Sequence, residues 1–272
     1  MTEEQTVKIM TYNIWNYNDP WPERRRLIVD TILKEDPDII GLQEIRDDRR
    51  YNSIGQDQAR QIADRTGLEY HFQPAMVYSK NPRCVEGLCV MSRFPIKSAS
   101  YIQLTRNPED PNDFHQRIVL NGTISLDLGE LEFFVTHFSL SPQMRICNAV
   151  ELLSFLDTFN SPLPKFVVGD FNATPEETPV RILTGMEKTE GQEVMGNLLD
   201  VWEEAPPTRR KYPAEGKLTH GDRRIDYIFV RGTSWMHVEV KQVSIVDTYS
   251  PDGIHASDHA ALTATLHLVP DN

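Results

Sequence analysis

Two packed, mostly antiparallel β-sheets with helices on their outer faces, a four-layer α/β/β/α sandwich, is the fold this sequence predicts. Three observations point there. Short β-forming runs outnumber helical patterns, the three or four helical segments fall between strand-rich runs, and the span from Tyr70 to His137 holds strands broken by turns with no helix between them. A doubly wound parallel sheet needs strict strand and helix alternation, which that span lacks. Apolar runs are spread evenly, and no linker or repeat divides the chain, so one domain over 5–270 is expected.

The elements follow in order. Val7 to Met10 is β-rich and runs into Thr11-Tyr12-Asn13, after which Ile14 to Pro20 reads as loop. Pro22 suits the first turn of a helix reaching Glu35, with Leu27, Ile28, Ile32 and Leu33 on one face and Asp36-Pro37 as the stop. Asp38 to Gln43 is a short apolar strand that delivers Glu44 at its end. Ile54, Ala59, Ile62 and Ala63 at helical spacings predict a helix over Ser53 to Thr66, with Gly67 as its C-terminal stop. Strands are expected at Tyr70–Gln73, Gly87–Ser92, Ile96–Leu104, Arg117–Leu126 and Leu131–His137, with NPEDPN at Asn107–Asn112 as a surface loop. Ser141-Pro142 opens the best helix, because serine caps free amides and proline is tolerated at the first helical position; it is expected to run to about Asn160. Phe166 to Val168 is a buried strand, Thr178 to Gly185 a short helix, Glu187 to Asn197 a polar loop, Asp200 to Glu203 a strand or turn, and Pro206 to Gly216 a loop. Three strands close the chain: Arg224–Arg231, Met236–Asp247 and Ala261–Leu268.

Composition narrows the partners. A net charge of −12 lacks the overall basic surface of a protein that grips a polyanion through many phosphates, and the runs Arg24–Arg26 and Arg209–Lys211 read as solvated. Three cysteines, Cys84, Cys89 and Cys147, make no paired framework and fit a reducing compartment. The N-terminus has no basic segment followed by an apolar core, and no window reaches the roughly 18 apolar residues of a membrane span, so a soluble, cytoplasmic, monomeric protein is expected.

The stretch FVVGDFNATP, Phe166 to Pro175, carries the functional signal. A buried strand ends at Gly169 and presents Asp170 and Asn172 on its rim, a setting for a metal or a phosphate. Four further strand ends share the design: Tyr12-Asn13, Gln43-Glu44, Thr136-His137, and Arg224-Ile225-Asp226-Tyr227 taken with Ser257-Asp258-His259. With QE, GDFN, IDYI and SDH in this order from Val7 to about Leu268, the chain resembles the endonuclease/exonuclease/phosphatase superfamily, with its DNase I-like fold.

Phosphoester hydrolysis needs an activated water, neutralised phosphoryl oxygens and help for the leaving alkoxide. Glu44 is a hard oxygen ligand suited to Mg²⁺, and His259 is the candidate general base because its unperturbed pKa lies nearest working pH. The resemblance implies that Asp226 orients His259, that Asp170 positions or polarises the attacking water, and that Asn172 and Asn13 bond phosphate oxygens. It further implies that His137 donates to the phosphate or leaving group, as in the DNase I and sphingomyelinase branches, and that Asp258 approaches the metal directly or through water. Arg117 is added as a phosphate clamp. Ile14-Trp15 follow Asn13 where apurinic enzymes carry a metal-touching residue, a departure for which Asn16 or Asp19 could compensate. The expected function is a Mg²⁺-dependent phosphoesterase, with Mn²⁺ able to substitute, acting on a small or lipid-linked phosphodiester or phosphomonoester. A DNA or RNA nuclease is the alternative, with Trp15, Tyr17 and Trp21 as base-stacking surfaces, and a catalytically silent binding module the second alternative.

Overall fold

A computed structural model describes residues 4–270 apart from 79–80, 192, 194–195, 214–215 and 235. Its strands are β1 (Gln5–Asn13), β2 (Ile39–Asp48), β3 (Glu69–Tyr78), β4 (Asn81–Ser92), β5 (Ile96–Gln103), β6 (Ile118–Leu126), β7 (Gly129–His137), β8 (Lys165–Asp170), β9 (Leu199–Asp200), β10 (Arg210–Lys211), β11 (Asp226–Arg231), β12 (Met236–Val246) and β13 (Ala261–Pro270). The helices are α1 (Trp21–Glu35), α2 (Gln58–Thr66), α3 (Pro142–Leu156), α4 (Thr178–Leu183) and α5 (Val201–Glu204).

Side-chain alternation builds the layers. On β1, Val7 and Ile9 enter one cluster while Met10 and Tyr12 enter another; on β8, Phe166 and Val168 face one way and Val167 the other. Val7, Ile9, Phe133, Val135, Phe166 and Val168 fill the space between the sheets. Met10, Tyr12, Ile40 and Leu42 pack under Ile28 and Ile32 of α1 and Ala59 and Ile62 of α2. Phe134, Val167 and Phe229 pack under Leu152 and Leu153 of α3 and Ile182 of α4. Each such fully buried side chain contributes roughly 1.5–3 kcal/mol. The seven-stranded sheet runs β10-β12-β13-β1-β2-β4-β3 and the six-stranded sheet β5-β6-β7-β8-β11-β9. Both are mixed, with β1–β2, β7–β8 and β10–β12 parallel and the other pairs antiparallel. The predicted four-layer sandwich is therefore the observed one.

Several boundaries differ from expectation. α2 begins at Gln58 rather than Ser53, because Asp57 accepts a hydrogen bond from Arg60 N and caps it, while Ile54 is exposed. Its predicted stop holds: Gly67 adopts φ 74°. α3 opens on the Ser141 cap and Pro142 as predicted but ends at Leu156. Asp200 to Glu203 divides between the end of β9 and the start of α5, and the expected loop after Pro206 contains a 3₁₀ turn, Pro207–Arg209, and β10. The polar stretch Glu187–Asn197 and that loop partly lie outside the described residues. Arg24, read from sequence as solvated, is buried: its guanidinium donates to the carbonyls of Ile14, Trp15, Asn16, Asn18 and Ala256. The three cysteines are free thiols, and no helix among the described residues is long and apolar enough to cross a membrane.

Candidate active site

Strand register places the polar side chains. His137 at the end of β7 pairs with Asp170 at the end of β8, and Asp170 pairs with Asp226 at the start of β11, so three functional groups stand in one row across the six-stranded sheet. The approach is close: a Cβ on Gly169, whose φ is 152°, would lie 2.0 Å from Thr136 O. The other sheet contributes Asn13, paired with Gln43 across β1 and β2. On β2 the register to β4 shifts between Leu42 and Ile45, so two residues, Gln43 and Glu44, stand opposite the single residue Leu88. That bulge keeps Leu42 and Ile45 on the same apolar face and puts Glu44 at φ 59° toward the row from the other sheet. Trp15, Asn16 and Asn172 are also left-handed, at φ 56°, 39° and 50°, so four of the five described non-glycine residues in that conformation gather here.

Hydrogen bonds fix the protonation pattern. His259 Nδ1 lies 2.9 Å from Asp226 Oδ2, so the carboxylate accepts the Nδ1 proton and Nε2 faces Asp170 Oδ2 at 3.7 Å. Burial works against a charged His259, but Asp226 and Asp170 outweigh it and hold the ring well above the usual imidazole range. Burial also works against the charge on Asp170, yet the two histidines and the hydrogen bonds from Asn172 N and Asn13 keep it ionised below the usual carboxylate range. His137 behaves oppositely. Arg117 Nη1 donates to His137 Nδ1 at 3.0 Å, which places the ring proton on Nε2, 3.4 Å from Asp170 Oδ2. Burial, with Arg117 beside it, lowers His137 to about 3, so it is a neutral donor at working pH.

Asn13 lies beneath these groups, almost fully buried. Its Nδ2 donates to Asp170 Oδ2 at 3.1 Å and Glu44 Oε1 at 3.2 Å, while its Oδ1 accepts from Trp15 N. This side chain is thus committed to bridging the two carboxylates. Asn172 lines the cleft and donates to Phe138 O.

Glu44, Asn16, Arg117, His137, Asp170, Asn172 and His259 surround one cleft of about 360 Å³. Asp258 opens instead onto an adjoining cavity, and its carboxylate lies near the ring nitrogens of His259 and of His220, which lines the cleft. Of the aromatic candidates, Tyr17 and Trp21 are buried and meet edge to face, and Trp15 alone remains half-buried on that cavity. Sequence reasoning missed six lining residues: Arg46, Glu86, His115, Leu140, His220 and Arg223. Arg46 and Glu86 form a 2.6 Å ion pair, and His220 accepts from Arg223 at 3.2 Å with its ring centroid 4.6 Å from that of His259. The only sequence signal for His220 and Arg223 is their place just ahead of the IDYI run.

The donor set fits a hard divalent cation. Glu44 is held by the amides of Asn13 and Asn16, the latter at 2.7 Å, and makes no ion pair among the described residues; burial raises its pKa. A half-buried carboxylate with no ion pair among the described residues, beside an ionised aspartate and several amides, is what an oxygen-seeking ion neutralises.

Residues 10–259 match the model of the Endonuclease/Exonuclease/phosphatase family. The chain belongs to this family. Its members hydrolyse phosphoesters. Solved structures with the same fold include a family protein from Bacteroides thetaiotaomicron, at 20% identity over 98% of this chain and 96% of that one, TM-score 0.74. Mannosyl-6-phosphatase Bt3783 of the same organism matches at 19% identity over 96% and 99%, TM-score 0.71. The human Nocturnin catalytic domain, with a bound sulfate, matches at 21% identity over 97% and 95%, TM-score 0.69. No curated protein sequence matches the chain.

Proposed function

We propose that the chain is a Mg²⁺-dependent phosphoesterase, with Mn²⁺ able to substitute, that hydrolyses a small phosphodiester or phosphomonoester by attack of a water activated by His259. The observation that carries this reading is the Asp226–His259 hydrogen bond, with Nε2 facing Asp170 on a cleft that also holds Glu44 and His137. Glu44 would hold the cation, with Asp258 reaching it from the adjoining cavity through water. When bound, the ion supplies charge neutralisation at the phosphoryl oxygens and a more acidic water.

The chain's own groups do the rest. His259 acts as a base only once it has lost the proton that Asp226 and Asp170 help to hold on its ring. Nε2 then takes the proton of the attacking water, and Asp226 stabilises the imidazolium that forms. Asp170 and Asn172 orient the water, while Arg117 and His137 Nε2–H meet the phosphoryl oxygens or the departing alkoxide. Asn13 acts beneath them by holding Asp170 and Glu44 together. The acidic net charge, and a mannosyl-6-phosphatase among the neighbours, support a small ester over a nucleic acid.

The test is release of p-nitrophenol from bis-p-nitrophenyl phosphate and p-nitrophenyl phosphate, with Mg²⁺ and with chelator. Activity that requires the ion and disappears in His259→Ala is expected. Silence in every divalent metal would leave a binding module, and nicking of plasmid at low enzyme would favour the nuclease reading.

A further inference from the structure

A cavity of about 310 Å³ adjoins the cleft and shares His259 with it, but its walls differ in kind. The cleft carries Arg46, Arg117 and Arg223 among the carboxylates of Glu44, Glu86 and Asp170, whereas the cavity carries the indole of Trp15, the side chain of Leu218, and the carboxylates of Asp247 and Asp258 against the single ammonium of Lys217. Trp15 is held rather than merely present. Its backbone sits at φ 56°, its N–H donates to Asn13 Oδ1 at 3.0 Å, and the Arg24 guanidinium lies 4.8 Å from its ring centroid. Buried Arg24, bonded to five carbonyls, fixes that loop from behind, so the indole's remaining surface belongs to the cavity. Asp247 is also placed, with His255 Nδ1 3.4 Å from its Oδ1 and Lys217 Nζ 4.0 Å from its Oδ2. A non-glycine residue held in the left-handed region persists only where its surroundings over-determine it, and such positions gather at ligand clamps.

We propose, resting on the phosphoesterase reading, that this cavity receives the alcohol part of the substrate, and that this part is an uncharged, polyhydroxylated ring bearing a single phosphate. An indole offers a flat surface to the C–H face of a sugar, and an ionised carboxylate only accepts, so it pairs with hydroxyl donors. A second phosphate, or the next phosphate of a nucleic acid, would meet two carboxylates, Asp247 and Asp258, against the one ammonium of Lys217, and be disfavoured. Both a hexose monophosphate and a ribonucleoside monophosphate present this chemistry.

Wild type is assayed with both of these, with an inositol polyphosphate, with single-stranded DNA and with bis-p-nitrophenyl phosphate. One of the two monophosphorylated sugars is expected to give the highest kcat/KM, and which one does so identifies the ring. In Trp15→Leu and in Asp247→Asn, kcat/KM for that substrate should fall by about tenfold more than for bis-p-nitrophenyl phosphate, chiefly through KM, with partial recovery in Trp15→Phe. Equal losses on both substrates, or a wild-type preference for the polyphosphate or DNA, would overturn the assignment. If Trp15→Leu melts early, Asp247→Asn decides alone. Titration of a hexose monophosphate, read by tryptophan fluorescence and by competition with the ribonucleoside monophosphate, tests binding without turnover. Absence of any saturable signal in both measurements counts against the cavity even if bis-p-nitrophenyl phosphate is not hydrolysed, whereas that failure of hydrolysis alone counts against the phosphoesterase reading.

Discussion

His259 and Asp226 form the pair whose disruption should be read most directly in rate. His259→Ala is expected to lower kcat by about 10²- to 10⁴-fold, the span of a lost general base, with KM little changed. Asp226→Asn should follow it, since an amide cannot stabilise the imidazolium; steady-state kinetics of either variant at the wild-type level would remove that residue from the chemistry. Other histidines are held neutral, and stability reports them. Burial, with Arg117 near, lowers His115 to about 4, so its folded pKa lies below the unfolded value near 6.5. The unfolded chain therefore binds more protons between those values, and the stability present above about pH 6.5 drains away as pH falls toward 4. The ring is only half-buried, so solvent screening holds the loss for His115 alone to on the order of 1 kcal/mol. Urea midpoints at neutral and at mildly acid pH should show it, and His115→Gln should flatten the slope; an unchanged slope would mean that the fold does not hold His115 neutral. The pair His259 and Asp226 was legible in sequence because SDH and IDYI are short linear runs. Arg24 was not, because its partners are the carbonyls of Ile14, Trp15, Asn16, Asn18 and Ala256, and a buried arginine looks in sequence like a solvated one.

Between residues and fold stand the elements that aim these groups. Caps and stops were readable because their chemistry is local: Ser141-Pro142 opens α3 and Gly67 closes α2 where expected. The start of α2 misled because Ile54 keeps helical spacing while Asp57 supplies the actual cap, and a cap outweighs one apolar residue that packs against nothing. The bulge in β2 was invisible in sequence, since it arises from pairing with β4 rather than from Gln43-Glu44 themselves. Gly169 was visible only as a turn glycine, yet its role is to let β7 and β8 approach at the row of His137, Asp170 and Asp226. Gly169→Ala would place a methyl group 2.0 Å from a backbone oxygen that has no room to give. It should cost about 3 kcal/mol or more, and chemical denaturation should record that loss together with lost activity. A variant as stable as wild type would show that the two strands can part without harm.

At the scale of the whole molecule, the site exists only where the two sheets meet. Asn13, Glu44 and His259 come from or beside the seven-stranded sheet, and Arg117, His137, Asp170 and Asp226 from or beside the six-stranded one. The inter-sheet core of Ile9, Val135 and Val168 sets their spacing. An ion that binds this assembled site and not the unfolded chain must stabilise the entire sandwich by mass action, by about 2.7 kcal/mol at a hundredfold excess over Kd. For a chain of this size that amounts to a rise in Tm of roughly 2–4 °C per kcal/mol, reversed by chelator. Glu44→Gln separates the two halves of the argument. It removes a half-buried carboxylate that makes no ion pair among the described residues, so the metal-free variant should be about as stable as wild type. The same variant should lose the Mg²⁺-dependent rise. Paired thermal melts with Mg²⁺ and with chelator decide it: a Glu44→Gln protein that keeps the full metal-dependent shift places the ion elsewhere than Glu44.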